Sequence, residues 1–103
     1  FSPKFYINFI NICNELKFDF VNYGIDQFLK LLILNKIYQK KQYTNIDFKI
    51  FIELYFHKKI FIDSEMNFMN HFLYFNKKYY EVKKYNLDLE SFFIELNAKV
   101  LNE

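Results

Sequence analysis

The chain reads as an all-α protein, a compact bundle of about five helices, and three observations carry that reading. Apolar residues recur at spacings of three and four along most of its length, the period of one helix face. Four times an aliphatic residue is followed at once by aspartate, at Ile25-Asp26, Ile46-Asp47, Ile62-Asp63 and Leu87-Asp88. An aspartate just outside a helix accepts from the unpaired amides of the first turn and complements the dipole, while the apolar residue before it packs on the fourth helical position. Lysine pairs at Lys40-Lys41, Lys58-Lys59 and Lys83-Lys84 fall near the opposite ends of the helices so defined, where the dipole favours cations.

Ser2-Pro3 opens the first helix, a capping side chain followed by a proline whose missing amide would have been unpaired anyway. Phe5, Phe9, Ile12, Cys13 and Leu16 then lie on one face. Residues 17–25 are expected to connect, with Gly24 the only glycine in the chain. Asp26 is expected to cap a second helix reaching about Tyr38, apolar over much of its circumference and so central. Asp47 is expected to cap a third, with Ile46 and Phe51 at staple positions, ending at Lys58-Lys59. Asp63 or Ser64 is expected to begin the fourth, whose Phe68, Phe72, Phe75, Tyr79 and Val82 are spaced by four, three, four and three. Asp88 caps the fifth, with Leu87 and Phe92 at staple positions and Phe93, Leu96 and Val100 continuing the face. A counter-signal is the β-propensity of Ile60-Phe61-Ile62, which would suit a short strand.

The 103 residues are expected to form a single helical domain and, beginning at Phe1, to belong to a longer chain or a processed product. Phe, Ile, Asn, Lys and Tyr dominate, whereas arginine is absent and Gly and Pro occur once each, a pattern that A+T-rich coding DNA would set. With 52% hydrophobic residues the chain has too much aliphatic and aromatic content for disorder. A domain of this size buries only about two thirds of its unfolded surface, so apolar area is expected to remain for a partner to cover. No apolar run approaches the roughly twenty residues of a membrane span, and Leu31 to Leu34 is bounded by Lys30, Asn35 and Lys36. A single cysteine makes no internal disulfide, and together with the lack of a signal-peptide pattern it points to an intracellular, cytoplasmic setting.

Two segments align at an offset of 41, Tyr43-Thr44-Asn45-Ile46-Asp47-Phe48-Lys49-Ile50-Phe51 and Lys84-Tyr85-Asn86-Leu87-Asp88-Leu89-Glu90-Ser91-Phe92; both read Asn, aliphatic, Asp, then Phe four residues on. A second phase pairs Gly24-Ile25-Asp26 with Phe61-Ile62-Asp63, 37 apart. The pattern resembles the loop-to-exiting-helix half of an EF-hand, over residues 26–101 at most. The resemblance implies a degenerate, calmodulin-like or myosin-light-chain-like lobe that grips an amphipathic helix. It departs from the family where calcium chemistry needs agreement. Gln39, Lys41, Tyr43 and Ile50 occupy the ligand positions of the first loop, and Tyr80, Val82, Lys84 and Ser91 those of the second, so calcium binding is not expected.

Catalytic equipment is not legible, and no enzyme activity, metal or cofactor is expected. Cys13 lies on an apolar face as a small core residue would. His57 precedes Lys58-Lys59 at an expected helix end, and His71 falls away from the Phe68, Phe72, Phe75 stripe with no second ligand at metal spacing. The four aspartates are accounted for as caps. There is no glycine-rich phosphate loop. The segment Lys77-Lys78-Tyr79-Tyr80-Glu81-Val82-Lys83-Lys84-Tyr85 mixes charges and rings as single-strand binding surfaces do, but net charge is only +2 and arginine is lacking, so nucleic acid is a subordinate reading. The expected function is binding of a helical protein partner, or completion of a larger assembly as a structural subunit with permanently covered apolar surface. Phe28, Leu32, Phe51, Tyr55, Met66, Met69 and Phe72 are the expected contact residues.

Overall fold

A computed structural model of the chain describes residues 3–43, 46–62 and 66–101. Five α-helices account for most of them: α1 (Pro3–Leu16), α2 (Phe20–Leu34), α3 (Lys49–Ile62), α4 (Met66–Lys84) and α5 (Leu89–Leu96), with 3₁₀ turns at Ile37–Gln39 and Lys41–Tyr43 and a π-helical turn at Asn97–Leu101. No strand occurs among the described residues, as the all-α reading requires. Two units divide the chain, residues 1–47 and 48–103.

In the first unit, phenylalanines join α1 to α2. The Phe9 ring meets Phe20 edge-on at 5.1 Å and Phe28 at 5.1 Å, and Phe18 adds a tilted contact to Phe28 at 5.9 Å. Ile12, Leu29, Leu32, Ile37 and Tyr43 are buried with Phe28. Glu15 of α1 holds the chain after α2, pairing with Lys40 at 3.1 Å and accepting from the Gln42 side-chain amide at 3.2 Å.

The second helix departs from the expected boundaries at both ends. Asp19 caps its first residues: the Asp19 carboxylate accepts from the Val21 amide at 3.1 Å and from the Asn22 side chain. At Gly24 the backbone leaves helical geometry (φ 77°, ψ −176°), so α2 is two helices joined across a kink, and the second starts beside Asp26, where the sequence places a helix start. The helix stops at Leu34 rather than Tyr38 because Lys36 takes the left-handed conformation (φ 52°), and the Lys36 amide turns back to the Ile33 carbonyl at 3.1 Å.

The second unit is held by a continuous run of rings. Phe56 of α3 stacks on Phe75 of α4 at 6.4 Å, Phe75 meets Phe92 of α5 edge-on at 5.8 Å, Phe92 meets Phe93, and Phe93 meets Phe48 at 6.0 Å. Such edge-to-face pairs add roughly 0.5–1.5 kcal/mol each beyond their burial. Helix α3 continues through Lys58-Lys59 to Ile62, so the β-propensity of residues 60–62 is overridden: these residues extend the helix that packs on α4. Asp47 stands two residues before α3, and the amide of Phe48, which precedes the helix, donates to the buried Tyr79 hydroxyl at 3.1 Å. Asp63 lies outside the described residues. Asp88 caps α5, accepting from the Glu90 amide at 2.9 Å and the Ser91 hydroxyl at 3.0 Å. Beyond α5 the π turn widens the helix by one residue, and both Val100 and Leu101 are buried.

Candidate functional site

Four of the seven expected contact residues are unavailable. Phe28, Leu32, Phe51 and Tyr55 are all buried, so each packs inside the protein instead of presenting surface. Hydrophobicity alone marked them, and the largest rings are also the residues that a core most readily takes. Phe72 is half-buried, its ring 5.6 Å from Phe56 and 5.6 Å from His57. Met69 is exposed on α4. The side chain of Met66 lies outside the described set.

What α4 does expose is a second apolar face. Met69 (38% exposed), Leu73 (58%) and Tyr80 (61%) point outward while Phe75, Tyr79 and Val82 are buried on the same helix. At about 100° per residue the three outward side chains fall within about 40° of one another and about 140° around the helix from Phe75. Lysines stand beside them. Lys84 Nζ lies 5.6 Å from the Tyr80 ring centre and 5.4 Å from that of Tyr85, and Lys83 Nζ lies 5.6 Å from Tyr79. Within the basic segment 77–85, burial of Tyr79 and Val82 leaves Tyr80 and Tyr85 as the exposed rings.

A polar network joins α4, α5 and the π turn. Glu95 Oε2 accepts from the Tyr74 hydroxyl at 2.7 Å and from Lys99 Nζ at 2.9 Å, and that ammonium also sits 5.0 Å from the Tyr74 ring centre. The hydrogen bond from Lys99, then that from Tyr74, holds the Glu95 carboxyl below its ordinary value. The same contacts with Glu95 raise Tyr74 and Lys99 above theirs. Next to this network Lys78, Val82, Leu87, Asp88, Ser91, Phe92 and Glu95 line an open depression of about 270 Å³. The Glu95–Lys99 pair is readable from its spacing of four; Tyr74 is brought in only by the packing of α4 on α5, which no local pattern announces.

The remaining candidates sit apart from these features. Cys13 is half-buried on α1, where burial pushes its thiol upward, away from the reactive thiolate. His57 lies within α3 instead of at its end, and His71 packs its ring 6.3 Å from Phe75 instead of falling clear of that stripe, because Phe75 lies one turn on. Among the described residues no three His, Cys, Asp or Glu side chains gather as a metal site would need. No described helix is long and apolar enough to cross a membrane. No protein-family model matches the chain, and comparison with curated proteins and with solved structures gives no match.

Proposed function

We propose that the chain is a non-enzymatic protein–protein interaction module that binds a helical partner. The observation that carries this reading is the amount of large apolar side chain left outside on helix faces. Tyr6, Ile7 and Ile10 form one such group on α1; Met69, Leu73 and Tyr80 form another on α4; and Phe61, at the end of α3, is 92% exposed. Scattered apolar residues are ordinary on a surface, whereas groups on adjacent turns mark contact sites. Tyrosine and methionine suit such contacts, the first as a rigid amphipathic anchor and the second as an adaptable filler.

A second reading is favoured by the spread of this surface over every helix, since Val21, Tyr23 and Leu34 on α2 and Ile94 on α5 are exposed as well. Such a distribution suits a structural subunit covered on several sides within a larger assembly. The EF-hand likeness is a proposal of the same class, a grip on an amphipathic helix that does not call for calcium. Affinity purification of the tagged chain from its source cell separates the two main readings: an interaction module retains one protein partner in fixed proportion, and an integral subunit brings down a stable multi-protein assembly. Recovery of a monodisperse monomer that binds no hydrophobic dye would refute both.

A further inference from the structure

The outer face of α4 has the layout of a helix-pairing seam. Met69, Leu73, Asn76 and Tyr80 are spaced by four, three and four, so that Leu73 and Tyr80 take a positions and Met69 and Asn76 take d positions of a heptad. Met69, Leu73 and Tyr80 are exposed, and the half-buried Asn76 places a polar residue between them, of the kind by which such seams fix their register. In this frame Lys77 and Lys84 are both e residues, the positions at which charges meet a partner helix, and Lys83 follows at the end of the seam. All three lysines are exposed. Glu81, the only acid in α4, lies about 100° around the helix from the seam, on the far side of Lys77 and Lys84, so these two lysines stand between it and the stripe.

We propose that this face docks an acidic amphipathic helix of a partner protein. The proposal rests on the interaction reading above and names its surface and the partner's chemistry. Charge selects this occupant: a second copy pairing through the same face would set one lysine-edged seam against another, whereas glutamates flanking a partner's apolar stripe complement Lys77 and Lys84. Width selects it also. A stripe about 40° wide matches the narrow seam of paired helices, while a helix lying in a lipid surface presents a much broader apolar face. The seam from Met69 to Tyr80 is about 16 Å long at 1.5 Å per residue, enough for about three turns of a partner.

The test uses a fluorescent three-heptad peptide with leucine at a and d and glutamate at e and g, whose own like charges oppose self-association, and a twin with glutamine at e and g. The glutamate peptide is expected to bind the whole chain saturably and at least tenfold more tightly than the twin at low salt, with the preference shrinking as salt rises. Leu73→Glu and Tyr80→Glu should each weaken binding at least tenfold, and Lys77→Gln and Lys84→Gln about threefold each. Ile94→Glu, an exposed apolar control on α5, should leave binding unchanged. Circular dichroism of each variant checks that its helices persist. Absence of peptide binding, equal binding of the glutamine twin, or indifference to Leu73→Glu and Tyr80→Glu would overturn the proposal. So would binding through these residues to phosphatidylcholine–phosphatidylserine vesicles but not to the peptide, or a dimer in sedimentation equilibrium that Leu73→Glu dissolves. Purification of the tagged Leu73→Glu/Tyr80→Glu chain separates the two levels. A partner retained as by the wild type refutes this surface and spares the interaction reading; a wild-type chain that retains no protein refutes both.

Discussion

Replacing Tyr79 by phenylalanine removes one oxygen from the second unit and leaves its ring in place. That hydroxyl accepts from the Phe48 amide at 3.1 Å, across 31 residues, and joins the start of α3 to the third quarter of α4. Phe48 is 2% exposed, so water cannot take over as acceptor. A buried donor left without a partner costs about 1–3 kcal/mol. The ring's own contact, edge-on to Phe92 at 5.5 Å, survives in the variant, so the loss should stay in the lower part of that range, about 1.5 kcal/mol. With a urea m-value of about 1.5 kcal/mol/M, the unfolding midpoint should fall by about 1 M. Tyr79→Leu should cost a further ~1 kcal/mol as the aromatic contact is lost too. Equilibrium urea unfolding measures the stability, and amide hydrogen exchange reads the bond itself, since the Phe48 amide should lose protection in Tyr79→Phe. A midpoint within about 0.2 M of wild type together with unchanged Phe48 protection would refute the assignment.

Four other outcomes are expected. Asp88→Ala should destabilise by about 1 kcal/mol in urea unfolding, because the Glu90 amide and the Ser91 hydroxyl both lose their acceptor. Gly24→Ala should destabilise by about 1–3 kcal/mol, since a β-carbon is excluded at φ 77°, ψ −176°; an unchanged melting curve would show that the break is not required. Lys17→Gly should stabilise by about 0.5 kcal/mol, as glycine relieves a left-handed residue (φ 53°) at some entropic cost. Glu95 should titrate below 4.5 by carboxyl NMR, and Lys99→Gln should move it upward. Because its folded value is depressed, the Glu95 contribution is present at neutral pH and is lost as pH falls through that value. Lys99 and Tyr74 are raised, so theirs is lost as pH climbs through their folded values, above 10.5 and 10.0 respectively.

Helix existence was legible in the sequence because the apolar spacing survives any composition, as Phe75, Tyr79 and Val82 show. Helix ends were less so. The aspartate rule identifies a real cap at Asp88, but the cap of α2 is Asp19, preceded by Phe18 in place of an aliphatic residue and so passed over. Stops were hidden for a different reason. Three helices end on left-handed residues, Lys17, Lys36 and Asn86, where a glycine would ordinarily signal the turn. After α1 the Phe18 amide reaches the Cys13 carbonyl at 2.9 Å and the Lys17 amide reaches that of Asn14, the paired bonds of a Schellman stop built without glycine. Ring size does not reveal which way a ring faces: Phe51 and Tyr55 are buried, while Leu73 and Tyr80 lie on a second, exposed stripe of α4.

The break at Gly24 bears on how such a composition is limited. Every glycine codon begins with two G bases, so coding DNA driven toward A and T removes glycine wherever another residue can stand. Lysine and asparagine can stand in the left-handed helix stops, at about 1–2 kcal/mol each for lysine and less for asparagine, whose short polar side chain bonds locally. Neither fits φ 77°, ψ −176°, a region essentially closed to any side chain. The chain's one glycine thus occupies a position that its backbone closes to every other residue, and a redesigned chain could take glycine at 17 and 36 but could not dispense with it at 24.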